Sequence, residues 1–459
     1  MTPAAHIFRQ YDIRGIVGRD LDAGVARQVG RAYGSAVRAR VPDRTPTVVV
    51  GQDNRPSSPD LATGFLQGLN EAGVDGVSVG TVPTGVLYWA EHALGVDGGV
   101  QITGSHNPSE WNGIKMSIQK SSVFGDMIQA YRTAIVEGDL AEGSGQTRSA
   151  EVLDRYVEDI LGRFDLPRSL KVVVDCGNGT ASVVAERLLE GLGVEVIPLF
   201  CTSDGTFPNH HPDPTVDENL ADLIDAVREH GADLGIAFDG DGDRIGAVDE
   251  NGRVVRGDLL VLLFGLDLID RKGKGRKLIF DVKCSQVLPQ VFEAAGGVPI
   301  MWMTGHSLMK QKMKETGAEL AGELSGHICV GGDEYIGVDD ALYDACYLID
   351  LLARADRPFS ALVDAFPETV ATPEIRIEVT EENKFSLVEE ALEHFRERYE
   401  VIDVDGVRVL FDGGWGLLRT SNTQPVIVAR YEAESAERLE AIRTEMDAWL
   451  GEQGVDVGA

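Results

Sequence analysis

Three segments of the chain share one layout, and this internal repeat constrains the fold more than any other feature. Each opens with an apolar, β-branched run ending in a polar turn: TVVVGQDNRP from Thr47, KVVVDCGNGT from Lys171 and KLIFDVKCSQ from Lys277. A helical stretch follows, as in LATGFLQGLNEAG and ASVVAERLLEGLG, and then a second strand, VDGVSVG, VEVIPLF or VPIMWM. Further on, each repeat delivers a third strand that runs straight into a polar, glycine-containing loop: GVQITGSHNP, LGIAFDGDGD and LAGELSGH. Strands alternating with helices predict layered α/β domains whose strand ends present functional loops. Three copies put three such loops at equivalent points, which points to one shared cleft.

The rest of the chain breaks the pattern. EIRIEVT alternates like a half-buried strand, NKFSLVEEALEHFRERY is helical in period, and VIDVDGVRVLF reads as a hairpin turning at Asp405-Gly406. VIVARYEAE is a further strand, and the last helix places Leu439, Ile442, Met446 and Leu450 on one face. The expected fold is α/β, with four domains around a central cleft. Three share a layered α/β topology, at 1–150, 151–253 and 254–367, and a smaller C-terminal α+β domain occupies 368–459. A chain of 459 residues is too long for a single core, in agreement.

Composition narrows the function. The opening MTPAAHIFRQYDIRG has no apolar run of the kind a signal peptide needs, and the apolar stretch Leu259–Leu266 meets Asp267 too soon to span a bilayer. A buried strand or helix explains that stretch, and a cytoplasmic protein without membrane partners is expected. Cys176, Cys201, Cys284, Cys329 and Cys346 show neither metal-ligand spacing nor disulfide-scaffold density, so buried reduced thiols are expected. A net charge of −32 argues against nucleic acid as a partner. An anionic substrate remains possible where the few cations converge, because a cleft potential depends on nearby charge more than on the total.

Four polar strings carry the candidate chemistry. In Thr103-Gly104-Ser105-His106-Asn107-Pro108, the Ser105 hydroxyl needs a base, metal or cation to act as a nucleophile, and His106 and Lys115 are at hand. In Asp239-Gly240-Asp241-Gly242-Asp243-Arg244, three alternate carboxylates divided by glycines can converge on one hard divalent cation such as Mg²⁺. An EF-hand beginning at Asp239 is excluded by Arg244, which stands where the sharp turn requires glycine, and by flanks that read as strands. Arg244 offers a fork for a phosphoryl group. Glu323 and Ser325, in Gly322-Glu323-Leu324-Ser325-Gly326-His327, suit sugar hydroxyls. The fourth string, Arg419-Thr420-Ser421-Asn422-Thr423-Gln424-Pro425, combines a guanidinium, hydroxyls and turn N–H groups into a phosphate cradle.

In this order the four strings resemble the α-D-phosphohexomutase superfamily, and within it the bacterial phosphomannomutase/phosphoglucomutase branch. The likeness runs from Phe8-Arg9-Gln10-Tyr11-Asp12-Ile13-Arg14-Gly15 to the Arg419 loop. It implies an isomerase that moves a phosphoryl group between O1 and O6 of a hexose phosphate (mannose and/or glucose) through a phosphoserine and a bound 1,6-bisphosphate. Ser105 would carry the phosphoryl group; Asp239, Asp241 and Asp243, with an oxygen of phosphorylated Ser105, would hold Mg²⁺. Arg244 would neutralise the transferring group, and Lys115 or His306 would serve as general base. Glu323 and Ser325 would read sugar hydroxyls with His327 nearby, and Tyr11, Arg14 and Lys283 would line the cleft. Arg419, Ser421, Asn422 and Thr423 would grip the phosphate that is not reacting. Glucose 1,6-bisphosphate or mannose 1,6-bisphosphate is the expected activator, and a monomer or weak homo-oligomer the expected assembly.

Two strings depart from the branch pattern: Gln424-Pro425 stands where Glu-Pro is common, and Ile328 to Glu334 lacks the usual aromatic and basic residues. Rival readings are a phosphoglucosamine mutase, a metal-dependent sugar phosphatase and a non-enzymatic sugar-phosphate or calcium-binding module. Gly104 and Leu324 stand where the glucosamine branch usually carries Ala and Gln, which favours mannose and glucose phosphates.

Overall fold

A computed structural model describes residues 3–380, 382–421 and 426–457. In each repeat the first strand, at Thr47–Gln52, Lys171–Asp175 and Lys277–Asp281, lies between two parallel neighbours. On one side is the second strand (Val49↔Val77, Val173↔Ile197, Ile279↔Ile300). On the other is the third (Val49↔Gly99, Val173↔Gly235, Ile279↔Ala321). A fourth strand then returns antiparallel to the third, at Trp111–Ile118, Ile245–Asp249 and Ile328–Val330. Each polar loop therefore joins the third strand to the fourth at the carboxyl end of the parallel strands, where open α/β sheets bind ligands. Strands covered on both faces need apolar side chains throughout, and Leu234–Phe238 is buried at every position.

The Leu259–Leu266 stretch resolves as helix, within Gly257–Lys272. Leu260 to Phe264 are all buried, which is why that helix is apolar around its circumference. Among the described residues, no helix is long and apolar enough to cross a membrane.

One apolar core runs without a break through the three repeats, from Val49 and Trp89 through Val174 and Phe238 to Phe280 and Leu348. The terminal domain keeps its own core, where helices Lys384–Arg396 and Ala436–Glu452 pack Phe395 and Trp449 against a six-stranded sheet. Its hairpin turns at Gly406, in the left-handed region at φ +87°, with Val401 facing Val409.

The terminal domain meets the third repeat through a small apolar patch of Val282, Trp415 and Leu417, and through Arg408. Arg408 is fully buried and lies 3.7 Å from the Trp415 ring centre. It donates to the carbonyls of Val282 at 2.6 Å and Cys284 at 2.8 Å, and to Gln286 Oε1 at 3.0 Å. Arg408→Met keeps the stem but strands two carbonyls in a dry interface, at about 1–3 kcal/mol each. The expected outcome is a lower melting temperature for the terminal domain, by several degrees, with the core of the three repeats less affected. Differential scanning calorimetry would resolve the two transitions.

Candidate active site

The serine loop leaves its strand at Ile102 and is shaped by residues far away in sequence. Ser105 is buried and holds φ at +50°, a conformation a non-glycine residue keeps only when its surroundings impose it. The imposing group is Arg55, also fully buried. Its guanidinium donates to the carbonyls of Ser105 at 2.7 Å, Asn107 and Pro108 at 2.6 Å, and Trp111 at 3.2 Å. Asp53 Oδ2 accepts from Arg55 Nε and from the Gly104 amide, each at 3.0 Å. A Cβ on Gly104 would come within 2.6 Å of the guanidinium, so only glycine admits this approach. Asp53 and Arg55 belong to the GQDNRP turn, which the sequence offers as an ordinary polar turn with no hint of its partners.

The Ser105 hydroxyl lies 3.2 Å from His106 Nδ1 and donates to Asp239 Oδ2 at 3.1 Å. Burial, and then Arg244, push the His106 imidazole well below its ordinary pKa, so the ring is neutral. Asp239, Asp241 and Asp243 are fully buried, and one oxygen from each can be chosen so that all lie within 4.8 Å of one another. Asp239 Oδ1 closes its own loop by accepting from the amides of Asp243 and Arg244, at 3.0 and 3.2 Å. Asp241 Oδ2 accepts from Thr84 Oγ1, Lys115 Nζ and Thr103 Oγ1 at 2.7, 2.8 and 3.1 Å, and Lys115 also donates to Asp243. Burial, then Asp243 and Asp241, drive the Asp239 carboxyl well above the usual carboxylate range. Oδ1 of Asp241 and Oδ1 of Asp243 are buried without hydrogen-bond partners.

Three acidic side chains crowd around one ammonium, and two of their oxygens are buried without partners. That donor set, all hard oxygen, fits a divalent cation. Burial alone would lower the Lys115 ammonium, yet Asp241 and Asp243 outweigh it and hold it well above its ordinary value. In this arrangement Lys115 is paired with two of the candidate metal ligands, Asp241 and Asp243.

Arg244 Nε donates to His327 Nε2 at 3.0 Å, which places the ring proton of His327 on Nδ1. That nitrogen lies 3.5 Å from Asp243 Oδ1 and 3.5 Å from Asp339 Oδ2. Asp243, His327 and Asp339 are close enough for a second metal, but a protonated Nδ1 faces the carboxylates as a donor, not a ligand. His306 stacks on His327 with ring centres 5.3 Å apart, and its Nδ1 lies 2.9 Å from Asp339 Oδ2. Lys310 Nζ holds the other Asp339 oxygen at 2.6 Å. His327 thus sits against Arg244, in the loop that also carries Glu323 and Ser325.

Around the third loop, Glu323 accepts from the Gly305 amide, and burial followed by Asp281 pushes its carboxyl up to about 7. Ser325 lies half-buried in the same turn. Lys283 bonds Glu374 at 2.7 Å, joining the third repeat to the terminal domain. Tyr11 donates to the Thr304 carbonyl at 2.9 Å, and Arg14 pairs with Asp12. Arg419 is buried with Nε donating to Asp405 Oδ2 at 3.0 Å, and the Ser421 carbonyl accepts from Lys384 at 3.0 Å. Asn422 and Thr423 lie outside the described residues.

Comparison with known proteins decides the family. Four models match in succession: phosphoglucomutase/phosphomannomutase α/β/α domain I at residues 5–135, domain II at 154–252, domain III at 256–370 and the C-terminal domain at 374–448. The chain belongs to the phosphoglucomutase/phosphomannomutase family. A phosphomannomutase/phosphoglucomutase of Pseudomonas putida is 48% identical over 448 residues, covering 96% of each chain. A phosphoglucomutase of Neisseria gonorrhoeae is 40% identical, again over 96% of each. A crystal structure of a phosphoglucomutase/phosphomannomutase family protein from Burkholderia thailandensis superimposes with a TM-score of 0.92 at 43% identity, over 99% of both chains.

Within this family member the Arg55 cage has a direct test. Lysine keeps the charge but cannot reach four carbonyls from one planar fork. Arg55→Lys should speed amide exchange at residues 103–108 by about tenfold or more, as expected for losing at least one charge-assisted bond of about 1.5–3 kcal/mol. Exchange in Leu234–Phe238 should be unaltered, and hydrogen–deuterium exchange mass spectrometry reads both.

Proposed function

We propose that this family member catalyses reversible transfer of a phosphoryl group between O1 and O6 of a hexose phosphate, mannose and/or glucose. The carrier is Ser105, phosphorylated in the resting enzyme, and the intermediate is a bound hexose 1,6-bisphosphate. One observation carries the reading: a buried serine hydroxyl in a strained loop, 3.1 Å from a carboxylate of a buried aspartate triad whose oxygens lie within 4.8 Å of one another. Relatives at 47–48% identity carry both the phosphomannomutase and the phosphoglucomutase names, which supports either sugar as substrate.

Asp239, Asp241 and Asp243, with an oxygen of phosphorylated Ser105, would hold Mg²⁺, which when bound offsets charge on the phosphoryl oxygens. Arg244 presents a guanidinium beside the same point, kept in place by His327, and Lys115 adds a second fixed cation. Phosphoryl transfer needs little more than positioning and charge compensation, so these groups supply most of the catalysis. His306, whose Nδ1 lies 2.9 Å from Asp339 Oδ2, is the base for the attacking sugar hydroxyl. Glu323 and Ser325 receive sugar hydroxyls, and Tyr11, Arg14 and Lys283 line the passage. Arg419, Ser421, Asn422 and Thr423 hold the phosphate at the far end. When the bisphosphate turns end for end, the two phosphates exchange places. Glucose 1,6-bisphosphate, or its mannose counterpart, restores phosphoserine after any loss and so acts as activator.

Ser105→Ala removes the acceptor oxygen and little volume. Turnover should fall by about 10³-fold or more, while the melting temperature stays close to that of the parent. Intact mass after incubation with glucose 1,6-bisphosphate should show one added phosphate on the parent and none on the variant. Full activity in the variant would refute the phosphoserine route.

The two guanidiniums separate binding from chemistry. Arg419 at the non-reacting phosphate contacts ground state and transition state alike, so Arg419→Ala should raise KM about tenfold or more. Arg244 at the transferring group acts where charge develops, so Arg244→Ala should chiefly lower kcat. Steady-state kinetics of both variants on glucose 1-phosphate and mannose 1-phosphate give the contrast, and the reverse pattern would mean that the two phosphate sites are exchanged.

A further inference from the structure

Cys176 and Cys201 lie 25 residues apart in sequence, yet their sulfur atoms are 3.3 Å apart, side by side past the ends of the parallel strands Lys171–Asp175 and Glu195–Leu199. Cys176 is fully buried and Cys201 is half-buried, so Cys201 is the more accessible residue of the pair. We propose that the pair is a disulfide-forming modification site, oxidised by hydroperoxides, that reports to the active site through the 176–180 loop.

The chemistry needs no further protein group. The Cys201 thiolate attacks one peroxide oxygen: an S–O bond forms, the O–O bond breaks, and hydroxide (or alkoxide) leaves and takes up a proton. The Cys176 sulfur then attacks the Cys201 sulfenic acid; an S–S bond forms, the S–O bond breaks, and the departing hydroxide takes the thiol proton to give water. Two thiols are oxidised and one hydroperoxide is reduced. The Cys201 thiol, and then burial, push the Cys176 thiol well above its ordinary pKa, which fits Cys201 as the first to react.

Closing a 3.3 Å contact to a bond of about 2 Å brings the two sulfur atoms together by about 1.3 Å and fixes both side chains to one geometry. Those loops are already interlocked: Asn178 N donates to the Phe200 carbonyl and Asn178 Nδ2 to the Thr202 carbonyl, both at 2.8 Å. Phe200 and Asn178 both hold positive φ, at +50° and +57°, so neither segment has slack in the ordinary backbone regions. Two residues on, Thr180 N and Oγ1 donate to the Gly240 carbonyl at 2.9 and 3.0 Å. Gly240 lies between Asp239 and Asp241, and a Cβ there would sit 2.4 Å from the Ser105 carbonyl oxygen. Movement at Cys176 is thereby passed to the carboxylate loop and to Ser105.

The test uses the full chain treated with hydrogen peroxide, followed by alkylation under denaturing conditions and peptide mapping. The expected result is a linked Cys176–Cys201 peptide with a mass loss of about 2 Da, and the other three cysteines alkylated. Mutase turnover should fall about tenfold or more on linkage, since displacements near 1 Å at a reacting centre have effects of that order, and return with dithiothreitol. Cys201→Ser should match the parent before treatment and keep its turnover afterwards. Five alkylated cysteines after treatment, or a Cys201 sulfinic acid (about 32 Da heavier) beside a free Cys176, would overturn the pairing. A linked peptide with unaltered turnover, or equal loss in Cys201→Ser, would overturn the connection to the active site. That connection rests on the proposed mutase reaction. An untreated parent without turnover would defeat the mutase reading, while the peptide map would still decide the pairing.

Discussion

Three buried carboxylates on one hairpin loop are the constraint to which the rest of the site answers. Water cannot screen Asp239, Asp241 and Asp243, and their mutual repulsion would be severe if each relied on its own domain. The compensation comes from the first repeat: Lys115 between Asp241 and Asp243, the Thr84 and Thr103 hydroxyls on Asp241, and the Ser105 hydroxyl on Asp239. The Thr84 amide also donates to the Asp241 carbonyl at 2.9 Å. These bonds join the first domain to the second alongside the apolar core that runs through both. Removing Lys115 alone would leave charge uncompensated inside the protein, an error of several kcal/mol. The carboxylates and Ser105 face one another because the same charge problem placed them there.

The same logic reconciles a net charge of −32 with an anionic substrate. The cations of the cleft are buried and each already has a carboxylate: Lys283 with Glu374, Lys310 with Asp339, Arg419 with Asp405. Burial pulls the Arg244 guanidinium down, but Asp213 and Asp239 more than offset it. Such cations are oriented before any ligand arrives, so little ordering entropy remains to be lost on binding. In the proposed reaction, a phosphate at Arg419 would compete with the Asp405 carboxylate for the guanidinium. The acidic exterior keeps the protein soluble and does not set the potential where the sugar phosphate binds.

How much of this could be read in the sequence follows from the range of each interaction. The threefold repeat, its strand ends and the hairpin at Gly406 are local patterns of period and turn chemistry, and they were legible. The Asp239–Asp243 loop was legible too, because its members lie within five residues and their alternation is itself the signal. Arg55 and Asp53 were not. A buried arginine bonded to four carbonyls about fifty residues downstream leaves no local mark, and in GQDNRP it looks like any solvated turn residue. Sequence placed Lys115 near Ser105 as one of two candidate bases, with His306, but did not show the two carboxylates that Lys115 bonds. The apolar run at Leu259 stayed ambiguous between strand and helix for a similar reason: a fully buried segment loses the alternation that tells the two apart.

The terminal domain is where local reading and three-dimensional contact differ most in consequence. Its sequence describes a separate unit with its own core. The contacts describe something narrower. Arg408 holds the carbonyls of Val282 and Cys284, the residues on either side of Lys283, and Lys283 itself reaches Glu374 at the start of the terminal domain. Asp405, which holds Arg419, also accepts from the Thr304 amide of the third repeat at 3.0 Å. Any swing of the terminal domain therefore pulls on the loop that bears Lys283 and on the turn at Thr304 and Gly305, where the Gly305 amide donates to Glu323. The small apolar patch of Val282, Trp415 and Leu417 is too slight to hold two domains rigidly, yet the buried Arg408 ties them at one point. In the proposed reaction, the Arg419 strand and the Glu323 loop are thereby linked through Asp405, Thr304 and Gly305, so the two ends of the bound sugar phosphate would be held by connected parts of the chain.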